Sequence, residues 1–332
     1  MTQIKWVNSR YEIIAPIGSG SSSRIYKAID HKDPEENVVV VKILTQLPES
    51  KPEYLREFFE REVRSLSSLN HPRIIRLLDS GFDDENNFLF IVLEFIERAA
   101  TLRERVNKAW SPETNDVVDV LIDLLDSLSY SHQSYIIHRD LNPSNILIDG
   151  TGNIKVIDFG VSKILGTLHA GETVGDFYTR AYASPEQIAY KDIDFSTDLY
   201  SLAGVAYFML TKKDPNPSIP LEVQIRGIEK LSQEIANVLC RMADPDPSER
   251  FESALQASLA LRSAKNQADA KSQWVFLKLT QKAIVNLYEQ AIIKSQDANE
   301  AKTVIQKLLS GEVFVVREDD AYDIIGDGVS II

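Results

Sequence analysis

Residues 36–44 read ENVVVVKIL: four consecutive valines, then a lysine, then two more branched aliphatics. A β-branched run this short predicts a strand rather than a helix. The apolar neighbours on both sides of Lys42 predict that this strand is buried. An ammonium group carried into such a place is costly unless an opposite charge or a ligand meets it, the alternative being a lysine that snorkels to water. Glu62 stands 20 positions on, on the inward side of a predicted helix, and is the expected ion-pair partner. A buried strand and a helix facing it across a charge pair already exclude most all-α and all-β arrangements.

The rest of the chain supports that reading. In "EYLREFFEREVRSLSSL", residues 53–69, Leu55, Phe58, Phe59, Val63, Leu66 and Leu69 form one helical stripe. Runs of β type precede and follow it: "YEIIAPIG", "SRIYKAID", "RIIRLLDSGF" and "NNFLFIVLEF". Beyond about residue 97 the period becomes helical. "SPETNDVVDVLIDLLDSLSYSH" opens with Ser111 as the expected cap and Pro112 in the first helical position. The helices "TDLYSLAGVAYFML" and "LSQEIANVLCRMA" follow, and a last short one is expected to end near Arg262. After it, "KSQWVFLKLTQKAIVNLYEQAI" and "NEAKTVIQKLLS" predict helices, while "GEVFVVRE" and "DAYDIIGDGVSII" predict a strand pair.

Composition narrows the function classes. No apolar run approaches the roughly 18 residues of a membrane span, and the first residues lack a secretory pattern. A lone Cys240 and five scattered histidines give neither a disulfide nor zinc spacing. A cytoplasmic setting is expected. The net charge of −13 argues against a nucleic-acid partner, because phosphate backbones reward basic surfaces.

Several short motifs carry chemistry. "IGSGSSSRI" spans Ile17 to Ile25, and its Gly18 and Gly20 let backbone amides approach phosphates that a Cβ would obstruct; alone it reads equally as a turn. "IIHRDLNPSNILID" holds His138, Arg139, Asp140, Asn142 and Asn145. "DFG" begins at Asp158, "SPE" covers Ser184 to Glu186, and Asp198 and Arg250 lie in "STDLYSLAG" and "DPSERF".

In this order and spacing the motifs resemble the eukaryotic-like (Hanks-type) serine/threonine protein kinases, and the chain is identified as a member, similar to soluble bacterial ones. The resemblance, which covers about residues 11–262, implies an α+β, two-lobed protein kinase fold (lobes 11–94 and 97–262) after an N-terminal extension (1–10). Residues 263–332 lie outside it as a C-terminal helical/β appendage, and the apolar Trp274, Phe276, Leu277 and Leu279 predict that it packs on the kinase core, the alternative being a docking, dimerisation or regulatory module. The resemblance implies ATP and Mg2+ as cofactors, a protein substrate bearing Ser or Thr, and no membrane contact. Lys42, oriented by Glu62, would hold the α/β-phosphates, and Asp140 would take the substrate hydroxyl proton. Asn145 and Asp158 would hold the metal. Leu93 would be the gatekeeper, Glu94 to Ile96 the hinge, and Ile25 and Leu147 the walls around adenine, with Ile17, Gly18 and Gly20 binding the nucleotide from the loop. Glu186 and Arg250 would form a buried structural pair, and Asp198 would brace the catalytic loop. Thr173 is the first expected autophosphorylation site, and Thr179 implies serine/threonine rather than tyrosine specificity.

Two departures stand out. Ser23 replaces a glycine of the loop, and Asn142 replaces the lysine that contacts the transferring phosphate. Loss of one such donor costs on the order of 10²- to 10³-fold in rate. A working kinase is therefore expected, with a nucleotide-binding pseudokinase scaffold as the alternative.

Overall fold

The computed structural model describes residues 4–19, 23–44, 59–159 and 180–268, less positions 34, 36, 61, 62, 65, 109 and 230, together with the backbone of three strands within 314–330. By its contacts the chain divides into two units, Met1–Lys265 and Asn266–Ile332.

The first unit begins with a six-stranded sheet in the order β1-β2-β3-β4-β6-β5. Its strands are β1 (Trp6–Val7), β2 (Tyr11–Ser19), β3 (Ser23–Asp30), β4 (Val38–Leu44), β5 (Leu77–Asp83) and β6 (Phe88–Glu94). Residues 1–10, set apart in the sequence as an extension, supply β1, and Val7 is fully buried. Arg10 and Tyr11 then tie this edge to β5: Arg10 Nη1 donates to Asp79 at 2.7 Å and Tyr11 Oη to the same oxygen at 2.5 Å.

Alternation along β4 sorts its side chains onto two faces. Val39, Val41 and Ile43 enter one core with Tyr11, Ala28, Phe90 and Val92. Leu44 enters the other, with Phe59, Val63, Leu89 and Ile91, and Leu66 packs against it. Lys42 therefore shares its face with Val40 and Leu44, as a two-residue period demands. Leu55, Phe58 and Glu62 lie outside the described residues; Phe59 and Val63 are where the helical stripe places them.

The run "RIIRLLDSGF" is not one strand. Ile74 and Ile75 leave the sheet to join the next layer, with Ile75 N–H donating to Val156 O at 2.9 Å and Val156 N–H to Arg73 O at 2.8 Å. That layer is a small three-stranded sheet of β7 (Ala100–Thr101), β8 (Ile146–Ile148) and β9 (Ile154–Val156). It packs on the helices α1 (Leu102–Lys108) and α2 (Thr114–Gln133), and the helices α3 (Pro185–Ile188), α4 (Ser196–Thr211), α5 (Leu221–Arg226) and α6 (Gln233–Met242) follow in the chain.

Helix α2 starts later than the Ser111-Pro112 pair predicts. Its cap is Glu113, whose N–H is accepted by the Asp116 carboxylate at 3.0 Å, so the charge at the third helical position decides the start. Three acids along α2 meet bases from other elements: Asp119 with Lys265, Asp123 with Arg73 and Asp126 with Arg262. The last helix of the unit covers 254–268, beyond the expected end near Arg262, because Ala257, Leu261 and Ala264 bury one continuous face.

In the second unit the predicted strand pair is a three-stranded antiparallel sheet of β10 (Phe314–Glu318), β11 (Ala321–Gly326) and β12 (Val329–Ser330). The second run supplies two of these strands, β11 and β12, rather than one. The two helices expected before it lie outside the described residues.

Candidate active site

The catalytic turn is built around Asp198 in the first turn of α4. Its side chain is fully buried and accepts the backbone N–H groups of His138 and Arg139, each at 2.9 Å, while His132 Nε2 lies 2.9 Å away. Burial alone would raise this carboxyl's pKa. The hydrogen bond and charge of His132 and the amides of the loop outweigh it, so the group is held below its ordinary range. Gln187 Nε2 clasps Arg139 O at 2.7 Å from the far side. Held from both sides, Arg139 adopts a left-handed backbone (φ 70°), and so does Asp158 (φ 64°). Such conformations persist only where the surroundings impose them.

Asp140 follows directly. Asn145, in the 3-10 turn Pro143–Asn145, donates from Nδ2 to Asp140 O at 2.7 Å and to Asp140 Oδ2 at 3.0 Å. That use of the amide nitrogen leaves the amide oxygen of Asn145 as its acceptor. The metal loop is pinned to the same turn: Ile157 N–H donates to Asn145 O at 2.9 Å, and His138 Nε2 meets Ile157 O at 2.8 Å. Phe159 is buried edge-on against His138, with ring centroids 4.6 Å apart. Asn145 and Asp158 are thus tied to one turn through Ile157, and their side-chain oxygens are the donor type that suits a hard divalent cation.

Lys42 is buried and its described partner is Asp158, Nζ to Oδ1 at 2.7 Å. Glu62, the partner expected from sequence, lies outside the described residues, as does Gly20. The fold thus brings Lys42 of the sheet to the loop that follows β9.

The residues that the resemblance places around a nucleotide lie as follows, together with one that sequence reading missed. Ile25 pairs with Lys42 across β3 and β4, and Gly18 pairs with Ile25. Ile17 is exposed at the end of β2. Leu93 stands opposite Val40 and Ile91 opposite Lys42, so Val40 belongs to the cleft face; counting two residues back from Lys42 would have found it. Leu147, half-buried, points away from the buried Ile146 and Ile148. At the hinge, Glu94 N–H donates to Arg76 O at 3.0 Å, and its carboxylate receives Lys155 Nζ at 2.6 Å and Arg76 N–H at 2.8 Å. Ile96 follows, partly buried. Lys27, on the face of Ile25, lies over the Phe95 ring at 4.6 Å.

Asn142, expected to donate to the transferring phosphate, is employed inside the turn. Only 3% exposed, it accepts Ser144 N–H at 2.9 Å and donates to Asp140 O at 3.1 Å and Asp140 Oδ1 at 3.3 Å. Beneath it, Arg103 Nε reaches Ser144 Oγ at 3.1 Å, and the same guanidinium pairs with Asp214 at 2.8 Å. The buried Glu186–Arg250 pair expected from sequence is present, with contacts of 2.7 and 2.9 Å and a third bond from Thr197 Oγ1. Thr173 and Thr179 lie outside the described residues.

A family model described as protein kinase domain matches residues 11–310. Among catalogued proteins, the serine/threonine-protein kinase PrkC of Bacillus subtilis is 29% identical over 275 residues, covering 78% of this chain and 41% of that protein. The serine/threonine-protein kinase PknB of Mycobacterium tuberculosis is 30% identical, with 77% and 43% covered. The chain thus spans about two fifths of the length of these relatives. Among solved structures, the PknI kinase domain of Mycobacterium tuberculosis superposes with a TM-score of 0.63 at 21% identity, over 80% of this chain and all of that one. That likeness concerns the fold.

Proposed function

Since the chain belongs to the protein kinase domain family, we propose that it moves the γ-phosphate of ATP to serine or threonine hydroxyls of proteins. The observation that carries this reading is the joint placement of Asp140, Asn145 and Asp158 by one hydrogen-bonded turn, with Lys42 2.7 Å from Asp158.

In the proposed reaction, the acceptor hydroxyl gives its proton to Asp140 as its oxygen bonds the γ-phosphorus. The bond from that phosphorus to the β–γ bridging oxygen breaks, and ADP leaves with the electron pair. Little covalent work falls to the protein; it positions the reactants and stabilises charge. Lys42 would take the α/β-phosphates, and Ile25, Val40, Leu93 and Leu147 would enclose the base. Asn145 and Asp158 would hold Mg2+, whose charge, when bound, offsets that of the phosphates. Ile17 and Gly18 would cover the triphosphate, and Glu94 and Ile96 would offer backbone groups to adenine. The scaffold alternative is less favoured, because the relatives are named serine/threonine-protein kinases and Asp140, Asn145, Asp158 and Lys42 are all retained.

The substrate is a protein in this reading, as the names of the relatives indicate for them, and residues 263–332 are the candidate docking element. Thr173 is the proposed first site of self-modification. No described helix is long and apolar enough to cross a membrane. An ATP-consuming reaction and a single buried cysteine, Cys240, fit the cytoplasm.

The test is transfer from labelled ATP with magnesium to a generic basic protein. Label is expected with the wild type and not with Asp140→Asn or Lys42→Ala. ATP binding without Asp140-dependent transfer would overturn the reading.

A further inference from the structure

A side chain standing where the kinase resemblance places a phosphate-binding lysine has no freedom to reach a phosphate here. The amide oxygen of Asn142 caps the 3-10 turn by accepting Ser144 N–H at 2.9 Å, and Pro143 between them has no N–H to compete. Its amide nitrogen donates to Asp140 O at 3.1 Å and to Asp140 Oδ1 at 3.3 Å. Asn145 meanwhile donates to the other carboxylate oxygen, Oδ2, at 3.0 Å. Both oxygens of Asp140 therefore carry an amide donor, one from each end of the same turn.

We infer that Asn142 is a positioning residue for Asp140, fixing the orientation of its carboxylate, instead of a ligand for the transferred phosphate. The inference rests on the kinase reading and adds a division of labour within it. Only an amide can do both jobs at this position. Aspartate would keep the cap and lose the donor, alanine would lose both, and lysine would lose the cap.

The experiment uses the full-length chain, MgATP and a generic basic protein, with wild type, Asn142→Asp, Asn142→Ala, Asn142→Lys and Asp140→Asn, and reads kcat and KM separately. Loss of the donor in Asn142→Asp and Asn142→Ala should lower kcat about tenfold, as for a lost hydrogen bond to a charged group, with the KM for ATP unchanged, and Asn142→Lys should be no faster than the wild type. Unchanged kcat in Asn142→Ala, with Asp140→Asn inactive, overturns the assignment and leaves the kinase reading intact. So does a loss confined to the aspartate variant, which would be charge repulsion alone, or a faster Asn142→Lys, which would mark a phosphate contact. A wild type without Asp140-dependent transfer overturns both.

Discussion

Arg250 is a full-sized cation with 1% of its surface exposed, and its burial is tolerable only because Glu186 faces it through two bonds. Burial pushes the Glu186 carboxyl up, but the Arg250 guanidinium and the Thr197 hydroxyl outweigh it and hold the pKa at about 2, below the ordinary 4.5. Arg250→Met would strand that charge and should cost roughly 3–5 kcal/mol at neutral pH. The folded pKa is the depressed one, so the stabilisation is whole above pH 4.5 and fades as pH falls towards 2. Urea midpoints of the two proteins should therefore converge over that window; a constant gap would contradict the assignment. Asp198 makes the complementary case, a buried charge that holds the turn before Asp140. Asp198→Asn replaces one acceptor oxygen by a donor that confronts the amides of His138 and Arg139. Misplacement of the turn should lower kcat by about 10²-fold, while the ATP dissociation constant, measured by calorimetry, stays near the wild-type value.

Among the elements, β4 shows how much is readable before any coordinates. Four valines and a lysine announce a buried strand, and the alternation places Val40 beside Lys42 on the cleft. Val40 and Val41 are chemically identical neighbours, yet the first is half-buried over the cleft and the second is fully buried in the core. Val40→Phe should abolish ATP binding, read by calorimetry, with an unchanged melting temperature. Val41→Phe should overpack the core and cost about 1–3 kcal/mol. Equal thermal effects of the two would refute the register argument. Motif spacing made the positions of Asp140, Asn145, Asp158 and Asp198 legible, because each must reach a common centre from a different element. What escaped depended on competition between near-equals. Asp116 outbid Ser111 for the start of α2, and Ile74 and Ile75 preferred Val156 to the sheet. Asn142 turned inward because an amide can satisfy both a cap and a carboxylate, which a spacing argument does not register.

At the scale of the molecule, the first unit is a sheet and a helical body joined by polar links. They include the Arg73–Asp123 bridge, the Ile75–Val156 backbone bond, the Glu94–Lys155 bridge and, last, the Lys42–Asp158 pair. The last of these consists of the two charges proposed to meet the nucleotide, Lys42 for the phosphates and Asp158 for the metal. Nucleotide binding must therefore draw on the 2.7 Å contact, and it does so favourably only if each charge finds its new counterpart. ATP alone satisfies Lys42 but sets a triphosphate against the Asp158 carboxylate. ATP with a divalent cation satisfies both. At a concentration 100-fold above the dissociation constant, MgATP should stabilise the fold by about 2.7 kcal/mol, a shift of several degrees in melting temperature. Chelation of the metal should remove most of that shift in the wild type. In Asp158→Ala the carboxylate is gone, so chelation should make little difference, although the shift itself is small. Differential scanning calorimetry of the two proteins with ATP, with and without Mg2+, reads these values directly. A wild-type shift indifferent to the metal would show that Asp158 does not face the phosphates.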